Sequence, residues 1–155
     1  MDFGYLKKND FGTLDYVSLT KKLKTPLVED EQFWGIEALD NWILFQSLNR
    51  IYIYNKNEES FEIISSESGI TKMFKVRDEI YFQKNNEGLY KIESGKESLV
   101  TDNSIISNSR LINIFNINES LLLQTQENGF YLLNTNRVLT PWNNKLNELL
   151  KSNSI

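Results

Sequence analysis

The sequence repeats itself, and that repeat constrains the fold more than any single motif does. The run Ile36-Glu37-Ala38-Leu39-Asp40-Asn41-Trp42-Ile43-Leu44-Phe45-Gln46 lies without a gap over Met73-Phe74-Lys75-Val76-Arg77-Asp78-Glu79-Ile80-Tyr81-Phe82-Gln83. Both lie over Ile114-Phe115-Asn116-Ile117-Asn118-Glu119-Ser120-Leu121-Leu122-Leu123-Gln124. Apolar residues coincide at Ile36, Met73 and Ile114, at Leu39, Val76 and Ile117, and through three positions ending at Phe45, Phe82 and Leu123. A glutamine closes each copy, at 46, 83 and 124, so the copies stand 37 and 41 residues apart.

A second segment follows each glutamine: Arg50-Ile51-Tyr52-Ile53, Gly88-Leu89-Tyr90-Lys91-Ile92 and Gly129-Phe130-Tyr131-Leu132-Leu133. A related segment, Gly4-Tyr5-Leu6-Lys7, stands near the start. Short apolar stretches complete the units at Phe61-Glu62-Ile63-Ile64, Leu99-Val100 and Val138-Leu139. Segments this short, rich in Ile, Val, Tyr and Phe, favour strands over helices. Each unit therefore reads as four strands. The turn between the first two is tight and polar, at Asp40-Asn41, Arg77-Asp78 and Asn118-Glu119. The glycine that opens the third strand is expected to supply a positive-φ turn or bulge residue. Arg50 departs from that pattern, and the loop before it is one residue shorter.

The middle strands are apolar at consecutive positions, as in Trp42-Ile43-Leu44-Phe45 and Leu121-Leu122-Leu123. A sheet with one wet face would alternate; a continuous run implies cover on both faces. Four-stranded sheets recurring about every 40 residues, covered on both sides, describe the blades of a β-propeller. A β-sandwich is the second choice, but it does not predict the ungapped register. The expected fold class is all-β: about three and a half four-stranded antiparallel blades in an incomplete ring, with a short C-terminal helix. As a single domain over 1–155, the half-blade covers 1–20. The blades cover about 33–64, 70–100 and 110–140, and a tail follows at 141–155. Closed propellers have about 4–8 blades, so the expectation is a piece of a longer propeller with edges at both ends.

Composition narrows the chemistry. The 155 residues include no Cys and no His. Thiolate or imidazole zinc sites, disulfides, Cys nucleophiles and His-containing triads are excluded. The commonest general acid/base is missing too. Acidic residues number 21 against 17 basic, a net charge of −4. That is a poor match to a phosphate backbone, so no direct nucleic-acid contact is expected. No apolar run approaches the ~20 residues that span a bilayer. The opening Met1-Asp2-Phe3-Gly4-Tyr5 lacks the basic start and apolar stretch of a signal peptide. The chain as written is thus expected in the cytoplasm. The 19 asparagines fall mostly between apolar runs, which suits turns.

Several stretches together resemble a known family. They are Phe3-Gly4-Tyr5-Leu6 with Leu14-Asp15-Tyr16-Val17-Ser18-Leu19, Trp42-Ile43-Leu44-Phe45-Gln46, Gly88-Leu89-Tyr90, and Asn128-Gly129-Phe130-Tyr131. The resemblance is to the two-component-regulator propeller repeats of Bacteroidetes sensor-regulators, and it covers residues 1–140. It implies part of an exported sensor propeller, hence a periplasmic setting. In that family a triple-tyrosine domain, a membrane helix and a helix-turn-helix or histidine-kinase output module accompany the propeller, and this sequence has none of them. DNA contact would belong to the output module.

Candidate sites carry two readings each. Gln46, Gln83 and Gln124 would either face a central channel and hold a polar ligand or satisfy backbone groups in the turn after the second strand. A residue common to every unit serves the unit, which favours the second. Tyr52, Tyr90 and Tyr131 would stack sugars or, being mid-strand, pack between blades; packing is preferred. Trp34 and Trp142 lie outside the aligned apolar positions and are the best aromatic candidates for an exposed site, although packing in the core or at the rim is preferred for both. The carboxylates Glu29-Asp30-Glu31 and Glu58-Glu59 would bind a hard cation or serve as acid/base, but they lack calcium-loop spacing and read better as solvated loops. Lys21-Lys22-Leu23-Lys24 reads as a solvated connection. The Asn144–Leu150 stripe would dock on its own domain, on a further blade, or on a partner helix.

The expected function is a non-catalytic segment of a sensor propeller, in a signal-transduction or transcription-regulator protein, whose loops meet a small molecule, a glycan or a protein partner. No catalytic, cofactor or metal residues are assigned. Its expected neighbours are further blades of a longer chain or a second copy. One alternative is a fragment of a carbohydrate-active propeller enzyme, for which the first strand offers only Glu37 as an acid. Another is a small scaffold in which two chains close a ring.

Overall fold

The computed structural model describes residues 2–143. It begins with a two-stranded antiparallel sheet, β1 (Gly4–Lys8) and β2 (Leu14–Ser18). Three four-stranded antiparallel sheets follow, each connected in sequence order. The first holds β3 (Gly35–Leu39), β4 (Trp42–Gln46), β5 (Arg50–Asn55) and β6 (Ser60–Ser65). The second holds β7 (Ile70–Val76), β8 (Glu79–Lys84), β9 (Gly88–Glu93) and β10 (Lys96–Thr101). The third holds β11 (Leu111–Ile117), β12 (Ser120–Thr125), β13 (Gly129–Leu133) and β14 (Leu139–Pro141). The first strands sit on the inside, with β3 beside β7 and β7 beside β11. The Asn144–Leu150 stripe, and with it the expected C-terminal helix, lies outside the described residues.

Turn chemistry sets the register. Leu39 pairs Trp42, Val76 pairs Glu79 and Ile117 pairs Ser120, which leaves two-residue loops. The first loop residue is left-handed each time: Asp40 at φ 48°, Arg77 at 55° and Asn118 at 55°. Positive φ at that position matches the right-handed twist of the flanking strands. Gly88 (φ 144°) and Gly129 (φ 79°) open β9 and β13 in positive-φ conformations, as the glycine pattern predicts. At Gly88 space is short as well, because a Cβ there would collide with the Thr101 carbonyl oxygen.

The consecutive apolar runs are explained by three joints between sheets. Phe3 and Leu19 pack with Phe45, Tyr52 and Tyr54 between the half-blade and the first full blade. Leu44, Ile51, Ile53 and Ile64 on that blade's other face meet Ile70, Met73, Ile80, Phe82 and Ile92 of the second. Phe74, Val76, Tyr81 and Leu89 on the far face of the second meet Leu111, Ile114, Leu123 and Leu133 of the third. Tyr52 and Ile53 are thus neighbours in sequence that serve opposite joints, and both are completely buried. Burying a side chain of that size contributes about 1.5–3 kcal/mol, so the two-faced pattern is what holds consecutive sheets together.

Two inner strands carry an irregularity that the third lacks. The ladder slips between Ile70 and Met73 in β7, and between Leu111 and Asn113 in β11. Pairing of β3 with β4 is regular throughout. A bulge releases backbone groups from the ladder, and those groups need other partners. Gln46 supplies them across the β7 slip, whereas Gln83 takes groups at and just before the start of β11. Gln46 Nε2 donates to the Ile70 carbonyl (3.3 Å), and its Oε1 accepts from the Met73 N–H (2.8 Å). Gln83 Nε2 donates to the Ile106 and Ser109 carbonyls (2.7 Å each), and its Oε1 accepts from the Leu111 N–H (2.9 Å). Both side chains are 1% exposed. Each glutamine therefore bonds the head of the inner strand in the following blade, across the joint, rather than the turn that follows its own strand. Within the described residues the half-blade contributes no second strand, hence no such glutamine, and β3 has no bulge.

One short helix, α1 (Ser104–Ser107), lies between the second and third blades. Asn103 caps it, its side chain accepting from the Ile105 N–H (3.0 Å). The helix places Ile106 in the core of the joint and its carbonyl on Gln83.

Candidate functional site

Inner strands that converge bring their preceding loops together. Trp34 precedes β3, Ile70 and Thr71 begin β7, and Arg110 precedes β11. These four, with Leu48 and Asn85 from the loops after the second strands, line a cleft of about 460 Å³. A larger cleft of about 810 Å³ adjoins it and shares Trp34 and Leu48. Its wall comprises the segment before β3 (Val28, Asp30, Glu31), the β4–β5 turn (Ser47, Asn49, Arg50) and the segment after β6 (Ser66). Together they form a continuous depression at one end of the sheets. Trp34 (54% exposed) and Leu48 (58% exposed) present apolar surface between the two parts.

Glu31 organises the larger cleft. Its Oε1 accepts from Ser47 Oγ (2.5 Å), and its Oε2 accepts from Tyr52 OH (2.7 Å) and from the Val28 N–H (3.1 Å). Arg50 in turn donates to Tyr52 OH (3.1 Å). Burial pushes the Glu31 pKa up, but the bonds from Ser47, Tyr52 and Val28, with the Arg50 charge, outweigh it and hold the carboxyl below its ordinary value. Tyr52 is pushed up to about 12, first by burial and then by the bond to Glu31, against the lowering bond from Arg50. The group is an ionised carboxylate with its partners filled, anchoring the loop that carries Trp34. That anchoring differs from the solvated loop expected for Glu31; Asp30 and Glu29 are exposed, as that reading required.

In the smaller cleft, Arg110 is exposed, and its side chain makes no hydrogen bond or ion pair among the described residues. Thr71 Oγ1 is buried with no hydrogen-bond partner. No acidic side chain lines this part. Trp34, Leu48 and Arg110 can therefore meet a ligand that offers a flat apolar face and acceptor or anionic groups.

The remaining candidates are placed as follows. Tyr52 and Tyr131 are buried, and Tyr90 stacks on Phe82 (centroids 5.7 Å apart), so these rings lie in blade joints and sheets rather than on a stacking surface. Trp142 packs edge-on against Phe130 (5.8 Å) away from the clefts. Glu59 pairs with Lys22 (2.9 Å), which ties the short turn Thr20–Lys22 to the first blade. Glu37 lies mid-strand in β3, opposite Leu44 and outside both clefts. Among the described residues no group of three His, Cys, Asp or Glu side chains is arranged to hold a metal, and no helix is long and apolar enough to cross a membrane. Gln124 is half-buried at the end of β12 and makes no side-chain hydrogen bond among the described residues. Sequence reading singled out Trp34 but not Leu48, Thr71 or Arg110, which have no motif in common and meet only through the convergence of the inner strands.

No family model and no curated protein sequence matches the chain. Among solved structures it is similar to BamB from Moraxella catarrhalis, with a TM-score of 0.52 at 11% identity over 69% of this chain and 33% of that one. PorZ, a surface component of the type-IX secretion system of Porphyromonas gingivalis, aligns with a TM-score of 0.44 at 19% identity, over 76% of this chain and 16% of that one. The chain thus spans about a third of the BamB chain and about a sixth of PorZ. The likeness to BamB is one of fold, and with the sheet order and the three joints it identifies these sheets as blades of a β-propeller.

Proposed function

We propose that this chain is a non-catalytic recognition segment of a sensor propeller, part of a signal-transduction or transcription-regulating protein. It takes its ligand or partner in the depression at the heads of the inner strands. The observation that carries this reading is the exposed Trp34, shared by both clefts and flanked by Leu48 and the unpaired Arg110. An indole face beside a guanidinium suits a small polar molecule with one flat side, such as a sugar ring. Ligand pockets commonly have volumes of about 300–1,000 Å³, and both clefts fall in that range. Within an exported sensor, the segment would work in the periplasm.

The test is an NMR titration with a panel of glycans and small polar metabolites. Binding is expected to shift the Trp34 indole and the Arg110 and Thr71 amides. The Trp34→Ala variant should lose about tenfold or more in affinity, the equivalent of roughly 1.4 kcal/mol. Shifts confined to other surfaces, or full affinity in Trp34→Ala, would remove this site from consideration. Turnover of any panel member would overturn the non-catalytic reading.

A further inference from the structure

Two blade joints in this molecule are built to one plan. On each, the second strand ends in a buried glutamine whose amide takes backbone groups at the head of the next inner strand. On each, that inner strand is bulged at the same place. The third blade repeats the giving half of this plan. Its far face follows from the register: Phe115 pairs Leu122, Leu122 pairs Leu132, and Gln124 pairs Phe130. The matching positions of the second blade are Phe74, Tyr81, Lys91 and the pair Gln83 with Leu89, which face the third blade. Phe115 is 42% exposed, while Leu132 and Gln124 are half-buried. Gln124 has no side-chain partner among the described residues, although its two equivalents have two and three.

We propose that Gln124 and the far face of the third blade form a docking surface for a further four-stranded blade, whose inner strand is bulged at its head. The occupant is defined by chemistry: a segment at the head of an inner strand that offers one or two carbonyls and, two to five residues on, a backbone N–H, as Ile70 with Met73 and Ile106 and Ser109 with Leu111 do. The Gln124 amide donates to the carbonyls and accepts from the N–H. Phe115 and Leu132 cover the apolar near face of the incoming sheet. This inference is independent of the ligand reading, since it concerns a sheet face away from both clefts.

The test compares Gln124→Met in two proteins. One is the full chain; the other is the full chain with a second copy of its own residues 102–141 inserted after residue 141. In the full chain the substitution should leave the urea midpoint unchanged. In the extended chain it should lower the midpoint and speed exchange of the amide in the copy that corresponds to Leu111 by about tenfold, the equivalent of one lost buried hydrogen bond. Three results would overturn the proposal. A lower midpoint for Gln124→Met in the full chain would mean the amide is already engaged. An inserted copy that stays unprotected, or is indifferent to Gln124, would mean the face does not accept a blade. A dimer of the full chain that Gln124→Met dissolves would assign the face to a second copy instead.

Discussion

Replacing Gln83 with methionine keeps length and volume but removes the amide. Three backbone groups then lose their partner: the Ile106 and Ser109 carbonyls and the Leu111 N–H. Ile106 and Leu111 are 0% and 1% exposed, so water does not replace the amide there. An unsatisfied buried group costs about 1–3 kcal/mol, and carbonyls fall toward the lower end because a second lone pair can compensate. The total is about 3–5 kcal/mol, a large share of a domain stability of about 5–15 kcal/mol. Gln46→Met loses two bonds, one of them long at 3.3 Å, and should cost about 2 kcal/mol. Urea unfolding measures both, with an unchanged slope expected because the surface exposed on unfolding is the same. Hydrogen exchange at the Leu111 amide should lose its protection in Gln83→Met before the remainder of β11 does. A cost below about 1 kcal/mol for Gln83→Met, or a larger one for Gln46→Met, would refute the idea that these amides hold the joints.

Two further outcomes follow from particular groups. Glu31 has a lowered pKa in the fold, so its contribution is complete above its unfolded value and is lost as pH falls through the folded one. Acid unfolding of Glu31→Gln should therefore depend less steeply on pH below about 4.5, and equal slopes in variant and parent would argue against the Ser47–Glu31–Tyr52 network. Gly88→Ala should lower the melting midpoint, because a Cβ meets the Thr101 carbonyl and φ is 144°; a backbone conformation of that kind costs about 1–3 kcal/mol for a non-glycine residue. A neutral result would mean that the β9–β10 pairing relaxes freely.

What the sequence made legible, and what it hid, divides along one physical line. Strands, their order in the sheet and the two-faced cores could be read because they depend on side chains repeated at fixed spacing, as at Tyr52, Tyr90 and Tyr131. The glutamines were visible as a recurring position, but their partners are backbone atoms 23–28 residues further on. Backbone groups look the same at every residue, so nothing in the sequence marks them as the target. The bulges in β7 and β11 escaped for the same reason. The helix at Ser104–Ser107 did leave a trace, an Asn103 cap ahead of Ser104-Ile105-Ile106, which the strand pattern around it masked. At the site, Trp34 stood out by its chemistry. Arg110 and Thr71 are unremarkable in sequence, and became part of a cleft only once β3, β7 and β11 lay side by side.

The glutamine joint also has a direction. Through their glutamines the first and second full blades hold the beginning of the blade that follows, and neither glutamine reaches back to the one before. During synthesis the earlier unit emerges first, with its amide already at the end of β4 or β8 when the next inner strand appears. The finished sheet is then a template on which the next 30 to 40 residues find their register, one joint at a time. A chain built this way should fold vectorially on the ribosome, and scrambling the order of its units should cost it more in folding yield than in final stability.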